Sequence, residues 1–203
     1  MSRVAATVSV VTTDGPAGWA GVTVTAMSSV SADGERPTML VCVNAQSPSA
    51  TAIRDNGVFC VNVLGEEQSY IADGFAGRFK NAGGDKFFSG NWATLATGAP
   101  HLADAVAAFD CKVLAAPQIG THVVFVGEVQ AMQSSAERDP LLYVQRGYGR
   151  AIRLDGKGRA PASADRGTGA AAGAGFRWRD AALGGGFVLL LLLAGFAARQ
   201  LFI

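Results

Sequence analysis

Few side chains in this 203-residue sequence are placed to do covalent chemistry unaided. No serine lies in a G-x-S-x-G context, and His122 follows a turn rather than a nucleophile elbow. The paired carboxylates Glu66 and Glu67 open a predicted helix, where they complement its dipole. His101 and His122 are the two histidines, and neither has a second histidine or a cysteine at a metal-ligand spacing, which argues against a structural zinc site. Cys42, Cys60 and Cys111 sit in apolar runs without C-x-x-C spacing and read as buried, reduced thiols. What stands out instead is a concentration of neutral hydrogen-bonding groups, Met27-Ser28-Ser29-Val30-Ser31, inside the stretch Gly21–Asn44. A rim of hydroxyls and backbone N–H groups with few charges suits a ligand whose oxygens and ring edges accept many neutral hydrogen bonds. The same residues also suit an ordinary serine-rich loop. Any catalysis would then belong to a bound cofactor, with the protein supplying position and electrostatics.

The elements that must hold this rim are mostly strands. Gly21–Thr25 alternates apolar and small polar residues, and Thr38–Val43 is a β-branched apolar run, so the rim reads as a hydroxyl-rich turn between two strands. Val4–Thr13 predicts a strand ending at the turn Asp14-Gly15-Pro16. Ser47–Asn56 predicts a short helix capped by Ser47 or Ser49 and closed by Gly57. Val58–Leu64 reads as a strand, Glu66–Phe75 as a second helix stopped by Gly77, and Phe79–Pro100 as a long irregular loop that includes Phe79 and Lys86. His101 falls just past it, and reads as a loop residue. Ala107–Leu114 and His122–Met132 predict two long strands, and Leu141–Val144 a short helix or strand before Gly147-Tyr148-Gly149. About six strands with short helices between them, lacking regular βαβ alternation, predict a mainly β antiparallel barrel rather than a doubly wound sheet. No G-x-G-x-x-G opens a helix, so a nicotinamide cofactor would not bind through a Rossmann crevice.

Composition divides the chain into residues 1–154, mixed as in a globular domain, an Ala/Gly/Arg-rich linker at 155–180, and an apolar segment at 181–203. Residues 1–144 carry 8 Lys and Arg against 13 Asp and Glu, whereas residues 145–203 carry 9 against 3. An acidic globular part leaves no electrostatic footprint for nucleic acid. Residues 181–198 are 18 in a row without charge, about 27 Å as a helix against a hydrocarbon core of about 30 Å, so a transmembrane tail is one reading. A packed or interfacial helix and a sequence artefact are the others. Met1–Thr13 has no cleavable apolar core, which predicts a cytoplasmic setting, membrane-anchored if the tail inserts.

Four runs in order, TAMSSVS with PTMLVCVN, VFCVNVLGEEQ with FAG, IGTHVVFVGEV, and PLLYVQRGYG, resemble the flavin reductase family, whose fold is an FMN-binding split β-barrel. Within it the chain is similar to reductase components of two-component monooxygenases, such as that for 4-hydroxyphenylacetate. The resemblance implies an NAD(P)H:flavin oxidoreductase and a homodimer. It would use NADH or NADPH to reduce FMN or FAD, and would hand the reduced flavin to a partner monooxygenase. On that resemblance Thr25, Ala26, Met27, Ser28 and Ser29 would line the isoalloxazine. Asn44, Ser47, Ser49, Ala50 and Thr51 would meet the ribityl chain and phosphate, with Phe79 and Lys86 as further candidates and the lysine toward phosphate. His122 would lie at the nicotinamide and Tyr148 beside the flavin pocket; their alternatives are a barrel-lip packing residue and a C-terminal anchor. No protein acid or base is needed, because the hydride passes between the two cofactors. A flavin-binding carrier or membrane-tethered module without turnover, and an oxidase of the pyridoxamine-phosphate kind, are the competing readings.

Overall fold

The structure, a computed structural model, describes residues 3–33, 35–79 and 85–152. The expected linker at 155–180 and apolar tail at 181–203 lie outside the described residues. Among those described, no helix is long and apolar enough to cross a membrane.

The first strand pair splits what the sequence reads as one strand. β1 (Ala6–Thr7) and β2 (Ser9–Thr13) are separated at Val8, whose N–H donates to the Leu141 carbonyl (2.9 Å) while its own carbonyl accepts from Leu64 N (3.0 Å). β2 is buried at every position. Val11 faces one apolar cluster and Val10 the other, so neither face of the strand meets water.

After β3 (Ala20–Val24) the chain bends at Thr25-Ala26 and continues as β4 (Met27–Ser31). This corrects the expectation of a turn there. β4 pairs antiparallel with β5 (Thr38–Asn44), with Met27 opposite Val41 and Ser29 opposite Met39, and the reversal comes between Ser31 and Thr38. Three serines form a strand because β5 offers an edge to pair with and the position is exposed; pairing overrides propensity.

α1 (Pro48–Asn56) follows, and Ser47 caps it by accepting from Ser49 N (3.3 Å). Gly57 closes it at φ 70°, the left-handed turn that favours glycine. β6 (Val58–Val63) leads to a 3₁₀ turn at Glu66–Gln68 and then α2 (Ser69–Phe75), so the second helix is shorter than its pattern suggests. The supposed loop from Phe79 to Pro100 holds a 3₁₀ turn at Lys86–Phe88 and a hairpin of β7 (Trp92–Thr94) with β8 (Pro100–Leu102). These strands were too short to show a period. The chain continues as β9 (Ala107–Ala115), β10 (Gln118–Ile119) and β11 (His122–Ser134). β12 (Leu141–Val144) then resolves the helix-or-strand ambiguity as strand, and β13 (Gly147–Arg150) pairs with it through a turn whose centre, Gln145 and Arg146, has φ 53° and 66°.

The main sheet runs β3-β2-β6-β9-β11-β5-β4, with β10 on β11; a second sheet runs β1-β12-β13. Its terminal strands, β3 and β4, are joined by two residues, a link of at most about 10 Å. The sheet must therefore curl until its edges approach. Its interior is filled by Val11, Val41, Val43, Ile53, Phe59, Val61, Val123 and Phe125. Gly127 lets β11 pass over Phe59, since a Cβ there would stand 2.5 Å from the ring.

Candidate functional site

The curl brings several expected site residues to one end of the sheet. His122 opens β11 directly opposite Asn44, the last residue of β5, and Ala45 N donates to Thr121 O (2.9 Å). Ala26 O accepts from Cys42 N (3.0 Å), which sets the Thr25–Met27 bend beside the same strand end. Ser47 N donates to Asn44 O (2.9 Å), and Asn44 Oδ1 accepts from Gln46 N (2.9 Å), so the loop into α1 is tied to this corner. Thr25, Ala26, Asn44 and His122 are exposed, Met27 and Ser47 half-buried. Ser28 and Ser29 continue down the exposed edge strand, Ser28 Oγ donating to the Ser29 carbonyl (3.1 Å). The His122 ring lies 2.9 Å from the Thr121 hydroxyl through Nδ1.

The start of α1 presents a narrower set than expected. Ser49 is buried and its hydroxyl donates to Gly21 O (2.8 Å), and Ala50 is buried as well. Their side chains serve the packing of α1 on β3, while Ser47 and the exposed Thr51 keep hydroxyls at the helix end. Lys86 Nζ reaches Gly21 O (3.5 Å) and Phe75 O (3.4 Å), distances at the long end of hydrogen bonding. It can leave those carbonyls for an anion at little cost. Lys86 and Asp85 line a cleft of about 530 Å³ together with Trp19, Ala20, Gly21, Pro48, Ser49 and Phe87. Sequence reasoning passed over Trp19 and Phe87. The available signal was a lone indole between small residues, Ala17-Gly18-Trp19-Ala20-Gly21.

Tyr148 belongs to different surroundings. Its hydroxyl donates to Asp73 Oδ1 on α2 (2.6 Å), its ring packs edge-on against Tyr143, and the Arg78 guanidinium lies 5.8 Å over it. Burial, then the bond to the Asp73 carboxylate and that carboxylate's charge, push its hydroxyl up to about 12. It fastens β13 to α2, and no described contact joins it to the His122 corner. Phe79 is 54% exposed. His101 is not in a loop: it is buried in β8, with Nε2 3.0 Å from Gln133 Oε1. Cys60 and Cys111 are buried free thiols, and burial, reinforced by the neighbouring Asp110, pushes Cys111 up to about 12. Cys42 is only half-buried, because β5 alternates and its odd-numbered residues take the core.

An exposed neutral rim, a helix N-terminus and a cleft with aromatic walls, lined by Lys86 and Asp85, are groups suited to a planar, polar small molecule. The chain belongs to the flavin reductase like domain family, which it matches over residues 1–151. It is 43% identical over 166 residues to FMN reductase (NADH) RutF 1 of Methylorubrum extorquens strain PA1, spanning 82% of this chain and 80% of that protein. Among solved structures it is similar to BorF, the flavin reductase component of a bacterial two-component tryptophan halogenase. That match has 31% identity and a TM-score of 0.66, over 75% of this chain and 94% of BorF. It is also similar to the NADH:FAD oxidoreductase SgcE6 of Streptomyces globisporus in complex with NAD and FAD fragments, at 27% identity and a TM-score of 0.67, over 77% and 90%.

Proposed function

We propose that this protein is an NADH-dependent flavin reductase that reduces FMN or FAD and releases the reduced flavin to a partner monooxygenase. The observation that carries the reading is the corner where Thr25–Met27, Asn44, Ser47 and His122 meet. Its donor set fits a flavin: neutral hydroxyls and strand-edge amides for the ring edges, and Ser47, Thr51 and Lys86 for the phosphate. Family membership and the names of the relatives support the same activity. A bound flavin would supply the hydride-accepting ring, so no residue of the chain need act as acid or base in that transfer. The protein's part is positional: the rim holds one ring plane, and His122, steadied by Thr121, offers its second ring nitrogen to the nicotinamide's amide or pyrophosphate. Tyr148 then acts in the fold, as an anchor for β13, rather than against the ring.

The family resemblance and the exposed Leu114, Ile119 and Met132 on β9–β11 support a homodimer. In the same proposal residues 155–180 link the domain to the apolar 181–198 segment, which would tether it to a bilayer. The decisive assay is NADH and NADPH oxidation by the purified protein with and without added FMN. A rate that depends on flavin supports the proposal; no flavin-dependent rate with either nucleotide refutes it, and flavin retained without turnover would make the protein a carrier.

A further inference from the structure

The residues of the proposed flavin site fall in a line along β3. Thr25 and Ala26 lie just beyond one end, and Gly21, with the α1 N-terminus and Lys86 gathered on its carbonyl, lies four residues back, about 13 Å along a strand. Trp19 stands just before the strand, two residues further, at most about 7 Å on. A ring held at Thr25–Met27 with its phosphate at Ser47 and Lys86 leaves Trp19 on the far side of the phosphate. Trp19 is 53% exposed and lines the cleft, so its indole has both a free surface and a wall behind it. That wall is Phe87, whose ring meets the indole edge-on at 4.9 Å. Phe87 is braced in turn by the buried Phe75 at 5.0 Å and by Trp92 at 5.0 Å. A large apolar surface kept half in water at the end of a braced aromatic series is a preformed stacking platform. Lys86, the cation already assigned to the flavin phosphate, lines the same cleft beside Asp85, so the stacking surface and not a second cation is what favours a further ring there.

We propose that Trp19 is a specificity-determining residue that stacks the adenine of a dinucleotide, so that this protein binds FAD more tightly than FMN. The proposal rests on the flavin reductase reading. The linear order favours the adenine attached to the flavin, since that base follows directly from the anchored phosphate. The adenine of NADH offers the same chemistry and is distinguished by the test.

The experiment titrates the full-length protein, its Trp19→Ala variant and its Trp19→Phe variant with FAD and with FMN by flavin fluorescence, and measures the KM for NADH with FMN as acceptor. Wild-type protein is expected to bind FAD more tightly than FMN. Trp19→Ala should weaken FAD by about 5-fold or more while FMN changes less than about twofold, and Trp19→Phe should keep most of the FAD preference. Equal weakening of both flavins, or no weakening of FAD, overturns the proposal. A raised KM for NADH with FAD affinity unchanged overturns the assignment to the flavin half. Neither result touches the reductase reading, which fails only if no flavin-dependent oxidation occurs at all.

Discussion

Gly21 is the point where fold and site constrain each other most tightly. A Cβ at this position would stand 2.4 Å from Phe75 Cε1 and 2.8 Å from Cδ1, with the Val11 carbonyl at 3.3 Å. The ring cannot withdraw, because Phe75 is 1% exposed and packed edge-on against Phe87 and Trp92. β3 cannot withdraw either, since Gly21 sits opposite Thr12 in the β2–β3 ladder. Overpacking of this kind costs about 1–3 kcal/mol, and replacing glycine in the unfolded chain returns about 0.4–1 kcal/mol. Gly21→Ala is therefore expected to destabilise by about 1–2 kcal/mol, a fall in Tm of about 2–8 °C for a domain of this size. Urea unfolding should show a lower midpoint at unchanged slope. Because Gly21 O accepts from Ser49 Oγ and Lys86 Nζ, FMN affinity should fall in the same variant. Phe75→Leu removes the opposing ring edge, so Gly21→Ala should cost less in that background, giving a coupling of at least about 0.5 kcal/mol. A Gly21→Ala protein as stable as wild type, or two costs that simply add, would refute the packing argument.

Three further outcomes are expected. His122→Ala should raise the KM for NADH more than the Kd for FMN; equal effects on both would place the ring elsewhere in the site. Asn62→Ala should destabilise by about 2–4 kcal/mol, because it strips the buried Leu102 N–H of its acceptor (2.7 Å) and the Val10 carbonyl of a donor (3.1 Å). Hydrogen exchange at Leu102 should accelerate; if stability is unchanged, the network does not hold β8 in place. For Tyr148 the hydroxyl is raised in the folded protein, so the stabilisation it gives is intact below about pH 10 and is lost as pH climbs toward about 12. Tyr148→Phe should flatten the stability profile across that window relative to wild type, and superimposable profiles would show that the Asp73 contact carries no linkage.

The length of the apolar runs and the capping signals made much of the framework legible in advance. Ser47 and Gly57 bracket α1 as their residue types require, and the β-branched run at Thr38–Asn44 is a strand. The serine-rich rim reads as a turn in the sequence because a strand of exposed serines carries no signal of its own; only the free edge of β5 makes it a strand. The same blindness hid β7, β8 and β13, three or four residues each, and took His101 for a loop residue when its neighbours bury it.

By itself, then, the order of residues determined a mainly β domain, a set of neutral donors rather than nucleophiles, and a likeness to flavin reductases, since these rest on local pattern. The tertiary structure alone decided which candidates meet. Closure of the sheet across Thr25-Ala26 gathers Asn44, Ser47 and His122 into one corner, while the bond from Tyr148 to Asp73 holds that tyrosine against α2. It also set Trp19 against Phe87, 68 residues away in the chain, a contact no spacing could announce.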